Sequence, residues 1–298
     1  MINLKKYLII GGMPNTNRDN VTCVSLLKPT KSAIGLALVS RLYQRSKSRR
    51  YINPKIFEQD PDVVIVFDSG ITKNFLYQIK KQFSGKRLIF FYFNPVELTF
   101  DIKEVPSDFE IWSYSEYDSN KYKIKKNGQI LNDYLYKECL AVSNMNISTI
   151  NDLVFVGTDK GRRTFLEKYK KELSSIGVDV NLVITKKRAF TIPTKRHRKK
   201  MTYREYLIEE AKASAIIDYC VNENAGITLR PLEAIILKKK IVTNCNELLK
   251  SKMMESGNII SISEEPSKIK DFVSKPYNPV PLGTIKEYLF DSWIKNFD

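Results

Sequence analysis

Short apolar runs alternate with amphipathic helical stretches in this chain, and the alternation occurs twice. The run "DVVIVFD" is apolar almost without a break, as in a central parallel strand covered on both faces. Before it stand a strand "KYLIIGG" and a helix "SAIGLALVSRLYQRS"; after it come helix "TKNFLYQIKKQF" and strands "RLIFFYF" and "EIWSYS". The alternation weakens from Lys121 to about Ile150. It then restarts with "DLVFVGT", helix "RRTFLEKYKKELSSIG", "VDVNLVIT", helix "TYREYLIEEAKAS", "AIIDYCV", a further helix and "KIVTN". Such alternation predicts βαβ units and mainly parallel sheets. The expected fold is α/β, with two Rossmann-like domains facing a central cleft. A length of 298 residues suits two domains of roughly 150. The expected boundaries are 1–148, 149–275 and a tail, 276–298, that reads as one helix, "LGTIKEYLFDSWIKNF". Sheets of this type bind ligands beyond the carboxyl ends of their strands.

Composition removes several function classes. No apolar run reaches the roughly 18–20 residues needed to cross a bilayer. The opening "MINLKKYLIIGG" is too short in its apolar part for a secretory signal and reads as a buried first strand of a cytoplasmic protein. Cys23, Cys139, Cys220 and Cys245 show no CxxC spacing, which makes them reduced thiols rather than zinc ligands. The only histidine, His197, lies in a basic run and offers little to a Ser-His-Asp triad. The net charge of +16 favours polyanions: nucleic acid, anionic lipid or phosphorylated substrates. Its densest stretch, Lys186 to Lys200, holds no acid and reads equally as a solvated loop or a phosphate- or membrane-facing surface.

Two strand-to-helix turns carry the residues for anion binding. In "IIDYCVNENAGITLRPLEAIILKKKIVTN", Gly226 permits a left-handed backbone, and Pro231 suits the first turn of a helix beginning near Leu229 to Pro231. The free N–H groups of that helix make an anion site. Thr228 either caps the helix or bonds a phosphate oxygen; Arg230 either grips phosphate or is solvated; Glu233 either accepts from a ribose diol or favours the dipole. In "FVGTDKGRR", Gly157, Thr158, Lys160 and Arg162 suit a diphosphate cradle, although neither a P-loop nor a GxGxxG pattern is present. Asp68, at the end of "DVVIVFD", reads as the cap of the next helix or as a general base toward an acceptor hydroxyl. "DPD", Asp60 to Asp62, precedes its strand and reads as a turn, so no metal is assigned.

The second half resembles bacterial glycosyltransferase-like proteins of capsular and lipopolysaccharide gene clusters, which have the two-domain glycosyltransferase B (GT-B) architecture. The resemblance rests on Asp218, Gly226, Thr228, Arg230, Glu233, Ala234, Lys239, Lys240, Thr243 and Asn244, with Ile227 where the pattern has leucine. It covers 151–298 well and the first half only in layout. It implies metal-independent transfer of a sugar from a nucleotide donor, by default a UDP-sugar, to a lipid-linked or oligosaccharide acceptor. It further implies that the second domain holds the nucleotide and that the final helix crosses back to the first domain. Gly157, Thr158, Lys160, Arg162, Gly226, Ile227, Thr228 and Arg230 would hold the diphosphate end of the donor, Glu233 the ribose, with Lys186 and Lys187 beside the nucleotide. Arg230 and Asp68 are the residues expected to act in catalysis. No cofactor is implied besides the donor, and the protein is expected at the inner face of the cell membrane, docked on anionic lipid. A nucleic-acid-binding protein and a non-catalytic partner of another transferase are the rival readings.

Overall fold

The computed structural model describes residues 5–12, 16, 18–185 and 201–298. They form two compact units, Met1–Asp133 with Asn296–Asp298, and Tyr134–Lys295.

The first unit has six parallel strands: β1 (Tyr7–Ile10), β2 (Val21–Val24), β3 (Val63–Phe67), β4 (Arg87–Tyr92), β5 (Phe109–Ser113) and β6 (Lys125–Lys126), in the order β2-β1-β3-β4-β5-β6. Helices α1 (Ala33–Ser46), α2 (Lys73–Gln82) and α3 (Glu116–Tyr122) complete it. Every residue of β1 and β3 is buried, as a sheet covered on both faces requires.

The second unit begins with α4 (Asp133–Ser143), which the expected boundary between 148 and 149 leaves in the first domain. The helix is bound to the second unit: Cys139 Sγ lies 3.3 Å from the Tyr203 hydroxyl, and Ser143 Oγ donates to the Ile236 carbonyl at 2.7 Å. There follow β7 (Asn151–Thr158), α5 (Arg163–Ser174), β8 (Val180–Thr185), α6 (Tyr203–Ala211), β9 (Ala213–Asp218), α7 (Leu229–Ile236), β10 (Lys240–Thr243), α8 (Asn246–Leu249), β11 (Ile259–Ser261), α9 (Pro266–Ser274) and α10 (Phe290–Lys295). The five strands are parallel in the order β11-β10-β9-β7-β8.

The fold is thus α/β with two doubly wound parallel sheets. Strands β2, β6 and β11 were not expected; none of the three is buried throughout, and polar residues interrupt or replace their apolar runs. The tail is also not one helix. A 3-10 turn over Leu282–Tyr288 and α10 are separated by extended Leu289, at φ −74° and ψ 150°. The buried side chains explain the break. Ile285 and Tyr288 are three residues apart, Phe290 and Trp293 again three, but Tyr288 and Phe290 only two. An unbroken α-helix would turn those two apart by about 200°. Beyond α10 the last three residues belong to the first unit, where the Phe297 ring meets Trp112 at 4.9 Å and Asn296 Nδ2 donates to Asn127 Oδ1 at 2.7 Å.

Candidate functional site

Counted within its own unit, each sheet begins in the order 2-1-3-4-5. A doubly wound sheet of that order has its switch point between the first and third strands, and ligands bind beyond their carboxyl ends. In the second unit these are β7 and β9, which end at Thr158 and Asp218. The turns carrying Gly157 to Arg162 and Gly226 to Arg230 start from this edge.

Arg230 is the hub of the edge. Its Nε donates to Glu210 Oε1 at 3.2 Å, Nη1 to Asp218 Oδ1 at 3.4 Å, and Nη2 to the Val156 carbonyl at 2.7 Å. The three bonds join α7 to α6, β9 and β7, and use one face of each guanidinium nitrogen inward. Three of the five N–H bonds of Arg230 are thus spent on the scaffold, and one on each Nη is left outside these bonds. Arg162 is likewise turned inward, donating to the carbonyls of Tyr219 at 2.8 Å and Thr158 at 3.1 Å. Both guanidiniums sit on the Phe155 ring, 4.9 and 5.3 Å from its centroid. This packing also explains Gly157. A Cβ there would lie 3.2 Å from the Phe155 ring, 3.4 Å from Arg230 and 3.5 Å from Arg162.

Glu233 is buried and saturated: the Tyr203 hydroxyl donates to Oε1 at 2.8 Å and the Tyr206 hydroxyl to Oε2 at 2.9 Å. These two bonds brace α7 against α6. Burial raises its pKa above the usual carboxylate range. Burial, opposed by Arg230 and reinforced by Glu233, pushes Glu210 up to about 8. Burial and the neighbouring charge of Arg230 pull Arg162 down to about 10. Among the described residues Arg162 makes no ion pair, so its charge is balanced by no contacting carboxylate.

What faces outward is the start of α7. Gly226 takes φ 84°, in the left-handed region. Thr228 is the N-cap residue in extended conformation, yet its side chain makes no capping hydrogen bond. Helix α7 begins at Leu229, so Pro231 is the third helical residue and the peptide N–H groups of Leu229 and Arg230 have no partner within the helix. Ile227 is buried beneath this turn. Lys160, exposed and at φ 43°, stands beside Gly161 at φ 86° in the neighbouring turn. Lys186 and Lys187 lie outside the described residues, as does His197.

The first unit's edge is different. Asp68 accepts from the Asn94 backbone N–H at 3.2 Å and from its Nδ2 at 3.3 and 3.2 Å. It does not cap α2; Thr72 does, accepting from Phe75 N at 3.3 Å. Burial raises the Asp68 pKa, and the bonds to Asn94 oppose that rise. Asp60 of the "DPD" turn pairs with Lys86 at 2.9 Å. Among the described residues no group of three His, Cys, Asp or Glu side chains is placed to hold a metal, and no helix is long and apolar enough to cross a membrane.

The sequence reading missed Glu210, Tyr203 and Tyr206. A signal was available: Tyr203, Leu207 and Glu210 follow helical spacing on one face of α6, where an acid among apolar neighbours needs a partner.

No family model matches the chain, and no curated protein matches it. Solved structures do. AviGT4, a glycosyltransferase involved in avilamycin A biosynthesis, is similar at a TM-score of 0.54 and 10% identity, over 99% of this chain and 96% of that one. Two structures of UDP-GlcNAc 2-epimerase from Methanocaldococcus jannaschii, one in complex with UDP-GlcNAc and UDP, give TM-scores of 0.46 and 0.49 at 15% and 14% identity, over 99% of this chain and all of those. The likeness to AviGT4 is one of fold, two Rossmann-like α/β units.

Proposed function

We propose that this chain is a glycosyltransferase that moves a sugar from a nucleotide donor, by default a UDP-sugar, to a lipid-linked or oligosaccharide acceptor. The observation that carries the reading is the uncapped start of α7 at the β7–β9 switch point. There Thr228 Oγ1 and the N–H groups of Leu229 and Arg230 offer donors to a diphosphate. Lys160 adds a cation from the adjoining turn. Arg162 and Arg230 back the site electrostatically from beneath, and fixed cations stabilise a leaving diphosphate without needing to move. The fold shared with a glycosyltransferase supports this, and the ten-position pattern supports the finer role in bacterial surface polysaccharide assembly.

The test is calorimetric titration of UDP, GDP and CDP into the full chain and into a Thr228→Val/Lys160→Ala variant. The wild type is expected to bind one nucleotide at least tenfold tighter than the variant. Equal affinities, or no binding by the wild type, would sink the donor site.

The bonds of Asp68 to Asn94 favour a second reading, a non-catalytic partner that binds a nucleotide sugar without turning it over. Nucleotide binding with no sugar release on any acceptor would favour it. The nucleic-acid reading predicts binding to duplex DNA that falls steeply with salt, with nucleotides competing poorly.

A further inference from the structure

Two cysteines separated in sequence by α7 and β10 meet at the carboxyl edge of the second sheet. Strands β9 and β10 pair in parallel up to Asp218 and Thr243, and Cys220 and Cys245 each stand two residues past that last pair. The Asn244 side chain holds the two segments together, accepting from the Cys220 N–H at 2.7 Å and donating to the Cys220 carbonyl at 2.8 Å. Adjacent strands lie about 4.8 Å apart, within the Cα separation of about 4.4–6.8 Å that a disulfide accepts. The side chains already meet, since a hydrogen bond between the two thiols is the largest influence on the acidity of each.

Cys245 also reaches the turn that starts α7. Its Sγ donates to the Gly226 carbonyl at 3.3 Å, and its N–H donates at 3.0 Å to Thr243 Oγ1, itself a donor to Asp218. Gly226, at φ 84°, is where the chain turns toward Thr228 and the helix. The bond to its carbonyl needs the Cys245 thiol proton, so loss of that proton unties the turn from β10. The other two cysteines differ. Burial pushes Cys23 up to about 12 and holds Cys139 well above the ordinary thiol value, so neither offers a thiolate at neutral pH. The hydrogen bond from Cys220 instead lowers the Cys245 pKa.

We propose that Cys220 and Cys245 form a thiol-modification site, closing reversibly to a disulfide that releases the Gly226 carbonyl. Cys245 is fully buried and Cys220 is 9% exposed, so the oxidant must be small, and hydrogen peroxide fits. The Cys245 thiolate attacks one peroxide oxygen; the O–O bond breaks, a sulfenic acid forms and hydroxide leaves. Cys220 then gives up its proton, and its sulfur attacks that of Cys245, forming the S–S bond and expelling the sulfenic hydroxide. Two thiols lose two electrons, one peroxide gains them, and both thiol protons end in the two waters formed. The effect on α7 rests on the donor site proposed above; the cross-link itself does not.

The experiment exposes the reduced full chain to hydrogen peroxide, then quenches, unfolds and alkylates it, and weighs its peptides. The Cys220 and Cys245 peptides are expected to be joined, two hydrogens lighter than their sum, with Cys23 and Cys139 alkylated. Alkylation of all four cysteines would overturn the proposal, as would the mixture of pairings that the urea-unfolded chain gives. The oxidised and reduced chains are then titrated with UDP, GDP and CDP. Affinity is expected to fall on the order of tenfold on oxidation and to return with dithiothreitol. A cross-link without a change in affinity would overturn the coupling to α7. Failure of the reduced chain to bind any of the three would strike the donor site and the coupling that rests on it, whereas the cross-link is decided by mass alone.

Discussion

The two sheets share a strand order and differ at the edge where that order makes a ligand site. In the second unit, Arg230 is locked to two carboxyl groups beneath a helix whose first N–H groups have no side-chain cap. In the first unit, the helix after β3 is capped by Thr72, and the acid at the strand end is tied to Asn94. Topology therefore offers a site at both edges, and among the described residues the start of α7 leaves anion-binding donors unspent. The bonds that the two arginines make go to the scaffold and hold the turns on which those N–H groups stand, and a Cβ at Gly157 would crowd the Phe155 ring on which both guanidiniums sit.

The largest expected effect separates the two edges by stability. Arg230→Ala leaves Asp218 buried without its cation and Glu210 without its hydrogen-bond donor, and breaking a buried pair typically costs about 3–5 kcal/mol. Asp68→Ala strands neutral donors, those of Asn94 foremost, a loss of about 1–3 kcal/mol. Denaturation midpoints measure both. A loss for Arg230→Ala no larger than for Asp68→Ala would show that the guanidinium is not the hub.

A second contrast lies in pH. The Glu210 pKa is raised from 4.5 to about 8 by burial, so the folded state keeps a proton that the unfolded chain gives up. That contribution is complete below about pH 4.5 and is lost as pH climbs through 8, with a slope on the order of 1 kcal/mol per pH unit between. Wild-type stability should fall across this window more steeply than that of Glu210→Gln. Parallel pH profiles would remove Glu210 from the balance.

The sequence made the architecture plain because long apolar strands and amphipathic helices carry strong periodicity, as "DVVIVFD" does for β3. It concealed what each polar residue of the 216–244 stretch does. Asp218 takes Arg230 and also accepts from Thr243 Oγ1 at 3.1 Å. Asn244 brackets Cys220, its Oδ1 accepting from the Cys220 N–H and its Nδ2 donating to the Cys220 carbonyl. Lys240 is buried and donates to the carbonyls of Phe272, Val273 and Lys275 at the end of α9. Residue types suited to a ligand are here serving the strand–turn–helix unit itself. Direction distinguishes the two uses, and direction depends on partners such as Glu210 and Tyr206 that are distant in sequence. Thr228 is the converse case: it has the residue type of a cap and does not act as one.

That last difference sets the smallest effect and the cleanest comparison. Thr72 and Thr228 are both N-cap threonines in extended conformation, one bonded to its helix and one not. Removing a working cap costs about 0.5–2 kcal/mol, so Thr72→Val should lower the denaturation midpoint and leave nucleotide affinity unchanged. Thr228→Val removes a hydroxyl that stabilises nothing in the free protein; its midpoint should stay within about 0.5 kcal/mol of wild type, while nucleotide affinity falls. Opposite columns of the same two-by-two measurement would then be filled by chemically identical changes. Should Thr228→Val cost stability as Thr72→Val does, the hydroxyl is a cap after all, and the start of α7 loses its standing as the open anion site.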